Sequence, residues 1–112
     1  MNPIALVHLL VAAVTIAVAL PLVRRKIKRN PWYGIRLPDA FKSEERWFEV
    51  NEYGGRLLLR CGVVIGVLAV VGLPLQKPYW IFYTWSATAV ITIGLAIVLV
   101  LTMRYVARTR RT

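Results

Sequence analysis

Acidic residues are scarce in this 112-residue chain, with 5 Asp+Glu against 15 Lys+Arg and a formal net charge of +10. All five acids (Asp39, Glu44, Glu45, Glu49 and Glu52) fall in one short stretch, so no carboxylate lies in a long apolar run. A proton-coupled carrier normally needs a buried acid within a span, and its absence counts against that class. Cysteine is limited to Cys61, which excludes an internal disulfide. Histidine is limited to His8, and no His or Cys stands at ligand spacing, so no metal site is expected. No cofactor motif, nucleophile–base pair or catalytic residue is apparent either, so catalytic, metal and cofactor assignments are all none. Charge of either sign makes up only 18% of residues while 58% are hydrophobic, which excludes disorder and a free nucleic-acid binder. A soluble globule this small could not enclose so much apolar surface.

Three apolar tracts dominate what is present: 3–23, 57–75 and 79–103. A bilayer core of about 30 Å needs roughly 20 helical residues, so each tract reads as a span. The expected fold is all-α: one membrane domain over 1–112 with three transmembrane helices and a hairpin of spans two and three. A structured loop-helix (24–56) joins spans one and two, and a basic tail covers 104–112. The basic run Arg24–Arg29 follows the first tract instead of preceding it, which is a stop-transfer pattern and not a signal peptide. Ten of the basic residues lie between Arg24 and Arg60, four in the tail and one, Lys77, in the hairpin turn. The positive-inside rule therefore places the loop and tail in the cytoplasm and the N-terminus outside, in a cytoplasmic (inner) membrane. The basic runs are expected to meet anionic lipid headgroups, and no direct nucleic-acid contact is expected.

Within the spans, Gly62 and Gly66 form a Gly-x-x-x-Gly pair with Gly55 before it, suited to close helix packing. The pattern leaves open whether the partner is span one, span three or a second copy in a homo-oligomer. His8, Ala12, Thr15 and Ala19 form a small, polar stripe on span one, read as a packing face or a proton-sensitive contact. Cys61 is expected to be a small packing residue. Tyr79, Trp80, Phe82, Tyr83 and Trp85 beside Pro78 suit the outer interface, while Trp32, Tyr33, Trp47 and Tyr53 suit the inner one.

The segment Asn30–Gly55 carries the candidate site. Pro31, Gly34 and Pro38 break the helix after span one. Ser43 is a good N-cap, with Glu44 and Glu45 in the first turn where the helix dipole favours acids. From there one helix is expected to run through Arg56 into span two. Trp47, Asn51 and Gly54 share a face, and Glu52, Arg56 and Arg60 form an i, i+4 ladder. Arg36 can hold a carboxylate or phosphate by paired hydrogen bonds, with Glu44 or Glu45 as internal candidates. Adjacent Glu44 and Glu45 point about 100° apart, which argues against their working on one atom. The binding candidates are Trp32, Arg36, Pro38, Glu44, Glu45, Trp47 and Asn51. The helix-packing candidates are His8, Thr15, Gly55, Gly62 and Gly66.

Gly34-Ile35-Arg36-x-Pro38, then Ser43-Glu44-Glu45 ahead of Trp47, then Gly55-Arg56-Leu57 resemble the SdpI/YfhL family of small bacterial membrane proteins. Leu37 stands where Thr is common in that family, and Asn51-Glu52 where His-Arg is common. The resemblance implies a membrane protein that protects its producer against a secreted toxin and holds a transcriptional autorepressor at the membrane. The leading expectation is thus an SdpI-like interaction protein whose partner is a peptide toxin or a cytoplasmic regulator. A small transporter or channel, and an interfacial enzyme acting on lipid or peptide, are the alternatives.

Overall fold

Three helices are long and apolar enough to cross a membrane. In the computed structural model, which describes residues 1–110, α1 is Pro3–Val23, α2 is Glu44–Gly72 and α3 is Trp80–Thr109. Single 3-10 turns occupy Pro38–Lys42 and Lys77–Tyr79, and no strand occurs among the described residues. The all-α expectation with three spans therefore holds. α2 has 29 residues, or about 43 Å of rise, so its first turns stand clear of a hydrocarbon core about 30 Å thick. It ends at Gly72, three residues short of the apolar tract that marked it. α3 continues past the tract, so the expected tail from Arg104 is helical as far as Thr109. Arg111, the last basic residue of that tail, lies outside the described residues.

α2 is the central element, with α1 packed along one side and α3 along another. The buried residues of α1 are small: Ala5, Ala12 and Ala19 recur every seven positions, with Leu22 at the end. Large apolar side chains point the other way, as with Leu10 at 64% exposure, Val71 at 64% and Ile93 at 59%. Lipid is as apolar as leucine, so nothing drives large side chains inward. Close contact between small residues holds such helices together. α2 meets α1 with Gly55, Gly62 and Gly66. A methyl group on Gly62 would stand 2.9 Å from Ile16 Cγ1 and 3.2 Å from Thr15 Cγ2. One on Gly66 would make ordinary contact, 3.5 Å from Ala12 Cβ. The Gly-x-x-x-Gly pair is thus an intramolecular face turned toward span one. The residues opposite the pair, Ala12 and Thr15, and Ala19 opposite Gly55, belong to the small stripe of α1. Thr15 keeps its hydroxyl on its own helix, donating to Val11 O at 2.7 Å.

Both ends of the bundle are tied. At the hairpin end, Asn2 is fully buried and caps α1 by accepting from Ile4 N at 3.0 Å. Its backbone N–H donates to Leu73 O at 3.0 Å and its side chain to Gly72 O at 3.3 Å. The orphan carbonyls at the end of α2 are thereby satisfied by the start of α1. Nearby, His8 Nδ1 shares a 2.9 Å hydrogen bond with Tyr83 Oη of α3, and the Tyr83 ring covers Gly72. At the loop end, α1 stops in a Schellman motif: Lys26 N donates to Pro21 O and Arg25 N to Leu22 O. Arg25 takes the left-handed position usually given to glycine, with φ 55, at a cost of about 1–2 kcal/mol. Its guanidinium pairs with Glu52 of α2 at 3.1 Å, which helps to offset that cost.

The glycine contacts give a paired prediction for unfolding in detergent micelles. Gly62→Ala lowers stability by about 1 kcal/mol or more through overpacking against Ile16. Gly66→Ala leaves stability unchanged or raises it, since alanine favours helix over glycine by about 0.8–1.0 kcal/mol. Equal effects at both positions would contradict the packing described.

Candidate functional site

The loop between α1 and α2 is built on Trp47. Its indole is fully buried, donates to Ile27 O at 2.8 Å and lies against Phe41 with ring centroids 5.2 Å apart. Ala40, Val50 and Val106 complete a small apolar core, with Ile35, Leu37 and Phe48 around it. One helical turn along the same face, Asn51 is 1% exposed and clamps the loop backbone. Its Oδ1 accepts from Ile35 N, and its Nδ2 donates to Ile35 O at 3.3 Å and to Trp47 O at 3.0 Å. Gly34 crosses directly over both side chains with φ +111. A Cβ there would sit 2.7 Å from Asn51 Oδ1 and 2.9 Å from Trp47 Cζ2, so both backbone conformation and space require glycine.

Asn30 closes the preceding turn. Its Oδ1 accepts from Trp32 N at 2.8 Å and Tyr33 N at 2.6 Å. The Tyr33 hydroxyl reaches back to Val18 O of α1 at 2.6 Å. Ser43 caps α2, accepting from Arg46 N at 3.0 Å. Glu44 accepts from Arg29 N at 3.1 Å, with the Arg29 guanidinium also nearby. Glu45 is exposed and lines a cleft of about 180 Å³ with Asp39, Lys42 and Glu49. Pro38 opens the 3-10 turn that carries Asp39.

The strongest electrostatic feature involves two residues absent from the candidate set. Asp39 is 5% exposed and pairs with Arg46 Nε, whose own side chain is 12% exposed. Arg46 extends the link: Nη1 donates to Thr109 Oγ1 at 2.9 Å and to Glu49 at 3.3 Å, and Nη2 to Val106 O at 3.0 Å. One guanidinium therefore joins the loop, the start of α2 and the end of α3. The second Asp39 oxygen, Oδ1, has no aligned hydrogen bond but has the Lys42 ammonium at 2.8 Å and Arg110 at 3.8 Å as counter-charges. The Lys42 contact and then the Arg46 guanidinium hold the Asp39 carboxyl below the usual carboxylate range, against burial that would raise it. Burial alone would ease a proton off Arg46, but the Asp39 partner raises its pKa above the ordinary arginine value. A single short-range signal was available in the sequence, the seven-residue spacing from Asp39 to Arg46 across a helix cap. The contacts with Val106 and Thr109 had none.

The sequence candidates thus divide. Trp47 and Asn51 lie together inside, where they position the loop. Glu44 ties the loop to the helix start. Arg36 is exposed and donates to Pro31 O at 2.7 Å, with no carboxylate partner among the described residues. That bond ties its guanidinium to the carbonyl of the residue before Trp32, which is 87% exposed. Among the described residues there is no group of three or more His, Cys, Asp or Glu side chains that could hold a metal ion. The Glu52–Arg56 step of the ladder is present at 3.5 Å.

The fold and this end define a multi-pass membrane protein in which a hydrogen-bonded loop-helix is locked onto the ends of all three spans. The chain belongs to the SdpI/YfhL protein family, whose model matches residues 26–106 of the 112. The match opens in the loop and closes at Val106, so it takes in Asp39, Arg46 and Val106 and stops short of Thr109 and Arg110. No curated protein and no solved structure matches the chain.

Asp39→Asn removes the nearest counter-charge of Arg46 and leaves it Glu49 and the α3 acceptors, so a cost of about 1–3 kcal/mol is expected. Because the native carboxyl is depressed, its contribution is complete above its unfolded value of about 3.9 and is lost as pH falls through the lower folded value. Near-ultraviolet circular dichroism from about pH 6 to about pH 2 should show loosening of the Trp47 environment on the acid side. In Asp39→Asn that signal is weak at every pH.

Proposed function

We propose that the chain is an SdpI-like membrane interaction protein. Its loop end faces the cytoplasm and its N-terminus lies outside a cytoplasmic membrane. The orientation is supported by the basic count, since fourteen of fifteen Lys and Arg lie at the loop end and one at the hairpin turn. The Asn30–Gly55 segment receives a protein partner, in the service of immunity to a secreted peptide toxin, of signalling through a cytoplasmic regulator, or of both. Family membership supports the class of role.

The observation that carries the reading is the treatment of Trp32. The loop binds its own backbone through Asn30 and Asn51 and encloses Trp47, yet leaves Trp32 87% exposed, next in sequence to the Pro31 carbonyl that holds the exposed Arg36. Exposed tryptophan and arginine on a rigid support are the residue types that dominate protein contacts. A loop ordered beforehand also avoids much of the entropy loss of binding.

The test is a photoreactive amino acid in place of Trp32 in native membranes. Crosslinking to a protein, reduced at least several-fold by Arg36→Ala, is expected. Recovery of lipid alone would make Trp32 an interfacial anchor and overturn the reading. An impermeant maleimide, applied to a cysteine at position 32 in a Cys61→Ser background, should label inside-out vesicles and not intact cells.

A further inference from the structure

Between α2 and α3 runs a groove of about 410 Å³ that no residue of α1 lines. Its walls are Leu57, Cys61 and Val64 on α2 and Val90, Gly94 and Ile97 on α3, each set at helical spacing. Gly94 makes the depth: a Cβ there would stand 3.2 Å from Cys61 Sγ and close the floor. Val64 and Ile97 are about half exposed, at 53% and 51%, so the groove opens sideways toward lipid.

One charged group lines this apolar space, Arg60. The ladder that brings Glu52 to Arg56 at 3.5 Å stops there, and Arg60 makes no ion pair or hydrogen bond among the described residues. Arg60 precedes the end of α2 at Gly72 by twelve residues, about 18 Å of rise. With a hydrocarbon core of about 30 Å counted from that end, it lies about 12 Å, or two turns, inside the opposite boundary. A cation at that depth needs a counter-charge or a path to the headgroups. The groove adds a second requirement, for a chain of apolar atoms to fill it. The lined part of α3, from Val90 to Val98, rises about 12 Å, which suits part of an extended hydrocarbon tail, and because none of the three apolar tracts carries an acid, a spanning helix of a second copy would offer Arg60 no counter-charge.

We propose that this groove binds one anionic phospholipid, with an acyl chain between α2 and α3 and the phosphate on the Arg60 guanidinium. Arginine suits that role because its planar fork presents two parallel donors to phosphate oxygens. The site is separate from the loop and does not depend on what binds there.

Native mass spectrometry of the full chain, released from detergent after titration with dioleoyl phosphatidylglycerol or phosphatidylcholine, tests this. The wild type should retain one phosphatidylglycerol with a preference of about fivefold over phosphatidylcholine, the scale of one basic residue near a charged lipid. Arg60→Gln should reduce the preference to what the basic runs at the loop end supply, and Arg60→Lys should keep more of it. Gly94→Leu should reduce retention of both lipids by filling the floor. Arg60 is exposed, so its variants are expected to retain wild-type helix content, which circular dichroism can check. Equal retention of the two lipids by the wild type would overturn the proposal, as would an unchanged preference in Arg60→Gln. A dimer that forms in the wild type and is lost in Gly94→Leu would assign the groove to a second copy and overturn it as well.

Discussion

The Arg46–Asp39 pair is the constraint on which the loop end depends. Arg46 sits on the first turn of α2, Asp39 on the 3-10 turn before it, and the remaining donors of the guanidinium close on the final turn of α3. Neither charge would tolerate its burial alone, so each holds the other's element in place. With the 3-10 turn fixed, Phe41 and Ala40 are delivered to Trp47. With Trp47 enclosed, Asn51 can grip Ile35 and the strained Gly34 crossing is held. A loop of two prolines and a glycine becomes a defined surface because one ionic junction anchors its far end.

The spans follow a different physics from that loop. Their interior is mostly alanine and glycine, with Leu22, Ile65 and Tyr83 among them, and their exterior is valine, leucine and isoleucine. Backbones approach where Gly55, Gly62 and Gly66 face the alanine stripe of α1, and dispersion between close surfaces does the work that water does elsewhere. The α2–α3 interface touches at Gly54 and Gly72 and parts between them, where Gly94 floors the groove that lies beside Arg60.

Much of this was legible from local signals. α1 runs over the residues its apolar tract marked, because charge bounds one side and an asparagine–proline cap the other. Ser43, Glu44 and Glu45 announce the start of α2, and the prolines at 74 and 78 announce the hairpin. The shared face of Trp47 and Asn51 was correctly grouped, but periodicity does not say whether a face turns inward or outward. The partner of the glycine pair was likewise undetermined until α1 was placed. Asp39 read as one acid in a loop, since its importance comes from Arg46, and that of Arg46 from a helix sixty residues away. Of the two internal carboxylates open to Arg36, Glu44 is taken by Arg29 and Glu45 stays exposed.

The cap of α1 has a consequence for how the molecule comes together. Asn2 is completed by the carbonyls of Gly72 and Leu73, groups synthesised some seventy residues after it. The first helix can enter the bilayer early, but its buried first turn has no finished environment until the second helix has crossed and turned. Final seating of the chain's beginning is therefore a late event in assembly, governed by the arrival of the hairpin.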